Sequence, residues 1–285
     1  MKKILALSLA AIMALSVMGC SKKGEDTVSQ DEGKKVAVIE STTTYEDITF
    51  GYRVNDAGRY DITSIEYTGT QQIDVKLPSV IDGIAVTGIA DEAFKAKTFI
   101  KSVEIPDSIT KIGNWAFWKC SAITEIELPK SVTEIGKGAF WNCEALTSIS
   151  LPEGLLLIDD YAFMNCEKLA SITIPETVKT IGEGAFFGCV AFTEIVIPAS
   201  VESIGRGLFL YCENLKLATI ENAELVFPVK DDKSLEGVFV DCHIHLVIKA
   251  AADSTAKDYV DAMNEKRIGD NKIDFEAIVA PTPAE

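Results

Sequence analysis

The sequence is poor in histidine, the side chain that most often acts as a general base in enzymes. His243 and His245 are its only two histidines, and with Cys242 they read Cys-His-Ile-His. On a strand the two imidazoles would lie on one face and offer two metal ligands, whereas a structural zinc site has four. No motif combines a nucleophile, a base and a residue that orients the base. The sequence therefore predicts no metal, no cofactor and no enzymatic activity, and we expect both histidines at the rim of the fold.

Basic side chains are also scarce. The chain has 27 Lys and Arg against 43 Asp and Glu, a formal net charge of −16 at pH 7. Such a surface repels the phosphates of nucleic acids and the head groups of anionic lipids. Nucleic acid is therefore not an expected partner, and membrane association would have to come from an attached lipid.

No apolar run is long enough to cross a bilayer. The chain begins MKK, continues with the apolar run ILALSLAAIMALSVM and then reads GC, a pattern typical of a secretory signal. The residues VMGC, which end at Cys20, are similar to a bacterial lipobox. That resemblance implies cleavage before Cys20 and lipidation of its thiol. The alternative is a plain secretory signal with an incidental cysteine.

What the sequence does contain is a repeat. Five copies of 23 residues follow one another without a gap from Ile100 to Asn214, and the fourth reads LASITIPETVKTIGEGAFFGCVA. A fixed period of this length indicates a solenoid. Burying roughly ten apolar side chains at ~1.5–3 kcal/mol each about balances an ordering cost of ~1.5 kcal/mol per residue. One copy is therefore not stable alone, and stability must come from stacking neighbours.

The first part of each copy predicts a short strand. In the fourth copy Ile172 and Ile174 alternate with Ser171 and Thr173, so the aliphatic side chains face inward and the hydroxyls face outward. Pro175 ends the strand because proline has no N–H for a ladder. Each copy places a proline at the same position, so we expect one strand per coil and a continuous parallel sheet.

The second part of each copy predicts a helical turn that backs this sheet. Ala185, Phe186 and Cys189 would share one face of such a turn. A glycine precedes the turn and suggests a positive backbone φ, which Asp tolerates better than most residues. The positions are Gly113, Gly136, Gly182 and Gly205, with Asp159 in the third copy.

The pattern L-x-x-I-x-I-P-x-x-V-x-x-I-G-x-x-A-F-x-x-C resembles the leucine-rich repeat of the BspA-like, or treponemal-type, bacterial surface family. The resemblance implies a curved leucine-rich-repeat solenoid with one parallel sheet. Looser copies flank the five: the upstream one has five extra residues between Pro78 and Ile89, and the downstream one opens at Leu215 and is stretched before Phe239. Terminal repeats are expected to be atypical because one side of each faces water.

The flanking segments predict two caps. The strands ITFGYRV and RYDITSIEY, joined at residues 55–58, predict a β-hairpin. Asp253 or Ser254 could N-cap a helix that runs to about residue 267 and docks on the last coil. The predicted parts are a lipoprotein signal peptide at 1–19, a flexible tether at 20–44, an N-terminal β cap at 45–72, the solenoid at 73–249, and a C-terminal helical cap and tail at 250–285.

Five cysteines recur at the repeat period and should form one stacked row. Adjacent coils stand ~4.8 Å apart, and Cβ atoms that point the same way at this spacing are too far apart for a disulfide. We therefore expect reduced thiols that act as small apolar filler. The row is Cys120, Cys143, Cys166, Cys189 and Cys212.

The outward strand positions form a first candidate surface. Ligands commonly dock on the sheet face of leucine-rich repeats, so the resemblance implies partner-binding roles for Glu125, Glu127, Ser148 and Ser171. Simple solvation of these side chains is the alternative. The complete row is Ser102, Glu104, Glu125, Glu127, Ser148, Ser150, Ser171, Thr173, Glu194 and Val196.

An apolar row forms a second candidate surface. Its members lie two residues after the inward-facing residue that precedes each Phe, roughly 200° around a helical turn from it. They should face solvent, and Trp118, Trp141 and Phe187 would then be partner-binding residues. Alternatively, the side chains lie over one another as a ridge between coils. The row is Trp118, Trp141, Met164, Phe187 and Leu210.

Together these patterns predict an exported lipoprotein at the bacterial cell envelope, exposed at the surface. The resemblance implies adhesion, that is, binding of a protein or glycan on host matrix or on other cells. One alternative is a structural or self-assembling envelope protein. Another is a wall-glycan hydrolase, which needs a convergent carboxylate pair that the sequence does not show.

Overall fold

The computed structural model describes residues 40–45, 47–228, 237–243, 245–266 and 272–278. The predicted signal peptide, the predicted lipidation site Cys20 and most of the predicted tether lie outside the described residues. The same is true of the C-terminal tail from residue 279.

The described elements, in chain order, are β1 (Glu40–Tyr45), β2 (Ile48–Val54), β3 (Tyr60–Tyr67), β4 (Ile73–Lys76), β5 (Val80–Ile81), β6 (Ile84–Ile89), β7 (Ile100–Glu104), β8 (Lys111–Ile112), β9 (Glu125–Glu127), β10 (Glu134–Ile135), β11 (Ser148–Ser150), β12 (Leu157–Ile158), β13 (Thr180–Ile181), β14 (Glu194–Ile197), β15 (Ser203–Ile204), β16 (Leu217–Ile220), β17 (Val247–Ala250), α1 (Thr255–Lys266) and β18 (Asp274–Ala277).

The N-terminal cap is an antiparallel unit of β1, β2 and β3. The predicted hairpin of β2 and β3 is present, and the side-chain oxygen of Asn55 closes its turn by accepting the amides of Ala57 and Arg59, both at 3.1 Å. β1 is a difference from the sequence analysis, because it occupies the end of the segment 20–44 for which a tether is predicted. Its three consecutive threonines favour a strand, and the edge of β2 provides the partner.

Two rows of parallel strands run along the solenoid. The first strand row contains the predicted strands, in one sheet of β4, β7, β9 and β11 and another of β14, β16, β17 and β18. The second strand row contains β8, β10, β12, β13 and β15, two-residue strands that continue the sheet from β6. A parallel-sheet solenoid is thus confirmed, with parallel pairing along two segments of the coil, rather than one, in four of the five copies.

The continuous sheet predicted from the sequence is wrong at the fourth copy. Residues 171–174 join neither neighbour in a ladder, although Ile172 and Ile174 are buried as predicted. The coils remain paired there through the second strand row, in which Ile158 lies beside Ile181 and Ile181 beside Ile204.

The predicted helical turn is also wrong, although its apolar side chains do face inward. Every second amide closes a tight turn within the coil: the amide of Trp118 donates to the carbonyl of Trp115 at 3.0 Å, and that of Cys120 donates to the carbonyl of Phe117 at 3.0 Å. The amides between them donate to the next coil; the amide of Phe117, for example, bonds the carbonyl of Ala139 at 2.7 Å. This alternation satisfies the backbone of a segment that has neither helix nor strand.

The glycine that opens each turn segment is required by close approach and not by a positive φ. A Cβ on Gly205 would lie 2.2 Å from the amide nitrogen of Glu183 in the preceding coil, and one on Gly182 would lie 2.3 Å from that of Asp160. Asp159 does not have a positive φ either. The positive φ falls two residues later, at Trp115, Gly138, Tyr161, Gly184 and Gly207.

The centre of the core is a stack of phenylalanine rings, one from each coil. Neighbouring ring centroids are 4.9–5.7 Å apart, and the rings from Phe117 to Phe239 lie within 10° of parallel. Such offset stacking adds to the burial of each ring. The stack consists of Phe94, Phe117, Phe140, Phe163, Phe186, Phe209 and Phe239.

The C-terminal cap is α1 followed by β18. Ser254, rather than Asp253, immediately precedes the helix, and it is buried with its hydroxyl donating to the carbonyl of Ala251 at 2.6 Å. Ala256, Val260 and Met263 are buried. Within the described part of the chain, no helix has the length and apolar character needed to cross a membrane.

Candidate interaction surfaces

The repeated cysteines form a buried row of free thiols. All five lack solvent exposure and are free thiols, and the partly buried Cys242 continues the row in the following coil. The structure adds a role that the sequence analysis missed: each thiol donates a hydrogen bond to a phenylalanine carbonyl in the preceding coil. The distances range from 2.9 Å for Cys120 to Phe94 to 3.2 Å for Cys166 to Phe140.

Burial makes these thiols chemically inert. Desolvation raises the pKa of Cys120 to about 12 and holds the pKa of Cys143, Cys166 and Cys212 well above the ordinary value. The thiolate is the reactive and metal-binding form of cysteine. The row is therefore a structural feature and not a candidate site of chemistry.

The two histidines lie near each other at the end of the solenoid. Their ring centroids are 5.8 Å apart, and Nδ1 of half-buried His243 accepts the amide of exposed His245 at 3.1 Å. Within the described residues no three His, Cys, Asp or Glu side chains are placed to hold a metal.

The outward strand residues named in the sequence analysis are exposed, as predicted, except that Ser102 is half-buried. Glu125 and Glu127 belong to β9, and Ser148 lies beside Glu125 in the ladder. Ser171 is exposed as well, but it lies in the fourth copy, where the ladder is interrupted. We call this surface the strand face.

A depression of about 620 Å³ lies on the strand face across the first three copies. The structure thus brings together three of the four strand-face residues singled out in the sequence and leaves out Ser171. The polar residues that line the depression are Ser102, Glu104, Asp107, Glu125, Glu127, Ser148 and Ser150.

The charge of this depression is only partly compensated. Lys76 pairs with Glu104, and the hydroxyl of Ser102 donates to Asp74 at 2.6 Å. Glu125 and Glu127 form no ion pair with any described residue, and Glu127 lies directly beside Glu104 in the parallel ladder. The strand face therefore offers two uncompensated carboxylates on adjacent outward positions of one short strand.

The apolar row does not face solvent as predicted. Trp118, Trp141 and Phe187 are half-buried because the backbone here is a series of tight turns and not a helix, which changes the side-chain directions. The Trp118 and Trp141 centroids are 5.8 Å apart, and Phe187 meets Tyr211 edge-on at 5.2 Å. The row is a ridge of side chains packed between coils, the alternative arrangement in the sequence analysis.

One end of this ridge is covered by lysines. The ammonium groups of Lys95 and Lys119 lie 4.6 and 4.9 Å from the ring centroid of Trp118. The indole nitrogens of Trp118 and Trp141 are buried and have no hydrogen-bond partner among the described residues. This part of the ridge is therefore less accessible than a row of solvent-facing tryptophans would be.

The sequence analysis also missed a side-chain ladder just after the glycine row. The side-chain oxygen of Asp91 accepts the amide of Asn114 at 2.7 Å, that of Asn114 accepts the amide of Lys137 at 2.9 Å, and that of Asp160 accepts the amide of Glu183 at 2.8 Å. Asp or Asn at the repeat spacing was the available signal, because these side chains readily bond nearby amides.

Comparison with known proteins agrees with this architecture. Residues 87–216 match the family model described as BspA type leucine rich repeat region, in six copies. The chain is similar to the solved structure of a leucine rich cell surface protein from Faecalibacterium prausnitzii A2-165, with 26% identity over 75% of this chain and 71% of that chain and a TM-score of 0.51. It is also similar to a T. pallidum leucine rich repeat protein, with 27% identity over 74% of this chain and 85% of that chain and a TM-score of 0.48. No curated protein matches the sequence.

The fold and the match to repeated copies of this family model define a leucine-rich repeat solenoid. The match over residues 87–216 is to the BspA type, which confirms the resemblance read from the sequence.

Proposed function

We propose that this protein is a cell-surface interaction scaffold that binds a protein or glycan partner through the depression on its strand face. The observation that carries the proposal is the set of exposed, uncompensated carboxylates and hydroxyls that line the depression. The likeness to a leucine rich cell surface protein supports the location.

The chemistry of the depression favours partners rich in hydrogen-bond donors. Carboxylates accept from Lys and Arg side chains and from sugar hydroxyls, and serine hydroxyls donate or accept. Glu125, Glu127 and Ser148 stand on paired strands, so their positions are fixed before a partner arrives. Such preorganisation lowers the entropic cost of binding.

The lipid on Cys20 is part of the same proposal. With a net charge of −16 the protein surface has no general attraction for anionic lipid head groups. A lipid at Cys20 and the polar residues that follow it would hold the solenoid at the outside of the envelope, where the strand face can meet host matrix or other cells.

Binding of the full-length protein, purified in mild detergent, to immobilised matrix-protein and mucin-glycan preparations tests the proposal. The double variant Glu125→Lys/Glu127→Lys should lose at least about tenfold in affinity, about 1.4 kcal/mol. The matched control is Glu144→Lys/Glu167→Lys, which makes the same charge change at exposed positions outside the depression. Equal losses in both variants would show a general charge effect and would contradict binding at the depression.

A further inference from the structure

A notch interrupts the ridge at the fourth and fifth copies. It has a volume of about 270 Å³, and two glycines, Gly184 and Gly207, are among the residues that line it. Its other lining residues are Tyr161, Met164, Glu183, Phe187, Arg206 and Leu210.

The preceding coils show which group normally covers such a glycine. A Cβ on Gly138 would lie 2.6 Å from Cδ1 of Trp115, and a Cβ on Gly184 would lie 2.8 Å from Cδ1 of Tyr161. The indole of Trp115 therefore lies across Gly138, and the phenol of Tyr161 lies across Gly184. In both cases an aromatic ring from one coil covers the glycine at the same repeat position of the next coil.

This arrangement stops at Gly207. The residue one coil earlier is Gly184, which has no side chain to lay across it, and among the described residues a Cβ on Gly207 would meet only Leu210, at 3.7 Å. The notch is thus the position that an aromatic ring fills in the coils before it. No aromatic ring of the described residues lies there.

The charged residue just before each glycine indicates which polar group the covering ring should carry at its outer end. The hydroxyl of Tyr161 donates to the carboxylate of Glu183, the residue just before the glycine that this ring covers. The same position before Gly207 is Arg206, which is exposed and forms no ion pair with a described residue. A guanidinium has only donors, so the complementary ring must carry an acceptor at its tip.

We propose that the notch binds one tyrosine side chain of a partner protein, with the ring over Gly207 and the phenolic oxygen, free or as a sulfate or phosphate ester, accepting hydrogen bonds from Arg206. Ring burial against Tyr161, Phe187 and Leu210 supplies the apolar contact, and Arg206 supplies selectivity by charge complementarity. The notch belongs to the turn segments and not to the strand face, so this proposal stands independently of binding at the depression.

Ligand-observed NMR of the full-length protein with three small probes tests the proposal. The probes are p-cresyl sulfate, p-cresol and toluene, which share a ring and differ in the tip group. We expect saturation transfer to be strongest for p-cresyl sulfate and weakest for toluene. Equal transfer to all three, or none, would overturn the proposal.

Two variants locate the binding. Arg206→Gln should reduce the preference for p-cresyl sulfate over toluene at least fivefold, whereas the control Arg59→Gln, at another exposed arginine, should not. Gly207→Asn places a side chain in the notch and should weaken all three probes, whereas Gly58→Asn should not. Gly58 is a fair control because it too has a positive φ and open space around it.

Unchanged binding in Gly207→Asn, or an unchanged preference in Arg206→Gln, would place the probes elsewhere and overturn the proposal. If Gly207→Asn does not fold, Arg206→Gln alone decides. The variant Glu125→Lys/Glu127→Lys should bind all three probes as the parent does. A wrong proposal for the notch can therefore be distinguished from a wrong proposal for the strand face.

Discussion

The thiol of Cys143 donates a hydrogen bond of 3.2 Å to the carbonyl oxygen of Phe117, in the coil before it. That oxygen also accepts the amide of Cys120 at 3.0 Å, so both of its lone pairs are used in the dry interior. Cysteine suits the position because it is small and apolar and still provides a weak donor. An alanine would fill less space and leave the carbonyl with one partner.

The thiols of this row should be unreactive in the folded protein. Their burial and raised pKa values suppress the thiolate, so an aromatic disulfide reagent at pH 8 should label Cys120, Cys143, Cys166, Cys189 and Cys212 only after denaturation. Partly buried Cys242 provides the internal comparison and should react first. No labelling in denaturant without reductant would mean that the cysteines are paired.

Phe163 should be among the most costly positions to truncate. It is fully buried in the middle of the phenylalanine stack, 5.3 Å from Phe140 and 5.6 Å from Phe186. Phe163→Ala should lower the free energy of unfolding by ~3–5 kcal/mol through lost burial and the cavity left behind. Chemical denaturation should show one cooperative transition at a lower midpoint, because stacked coils share their interfaces. The exposed Lys168→Ala is the control, and equal shifts would contradict the buried position.

The elements that sequence predicted correctly are those governed by side-chain pattern. Alternation of aliphatic and polar residues identified the first strand row outside the fourth copy, and residues 55–58 identified the hairpin turn. The positive φ at Trp115 and Tyr161 was not predicted, because neither residue type favours it and only the pairing between coils requires it. The depression and the notch depend on how rows from successive coils meet, which no single copy specifies.

Half-burial of the apolar row changes what its substitution should do. Solvent-facing residues could become serine at little cost, but Trp118 and Trp141 pack on each other and Phe187 on Tyr211. We expect the triple change to Ser to lower stability by more than about 2 kcal/mol, since full burial of one such ring is worth ~3–5 kcal/mol. Leu156→Ser, at a side chain that is 51% exposed, should have little effect. A triple variant as stable as the parent would show that these side chains face solvent and are not packed between coils.

Cys20 should carry the membrane anchor. Changing it to Ser removes the thiol that the lipid would occupy, so the protein should appear in the soluble fraction or remain as uncleaved precursor. Cys242→Ser is the control, because Cys242 lies in the repeat region far from the signal sequence. Membrane fractionation and the mass of the mature N-terminus measure the result. A Cys20→Ser protein that remains processed and membrane-bound would contradict lipidation.

Gly205→Ala tests whether close contact between coils accounts for the glycine row. The added Cβ would lie 2.2 Å from the amide nitrogen and 2.4 Å from Cα of Glu183, and backbone atoms cannot turn aside as a flexible side chain can. The coils must separate locally, which should lower the free energy of unfolding by ~1–3 kcal/mol.

Gly154→Ala is the matched control, because its nearest contact is 3.3 Å away and its φ is not positive. There the neighbouring carbonyl needs to move by only a few tenths of an ångström, and the lower flexibility of the unfolded chain offsets part of that cost, so Gly154→Ala should lose much less stability than Gly205→Ala. Equal midpoints for the two variants in chemical denaturation would show that the coils can move apart freely at Gly205. The repeat would then conserve its spacing through the strand rows and the phenylalanine stack alone.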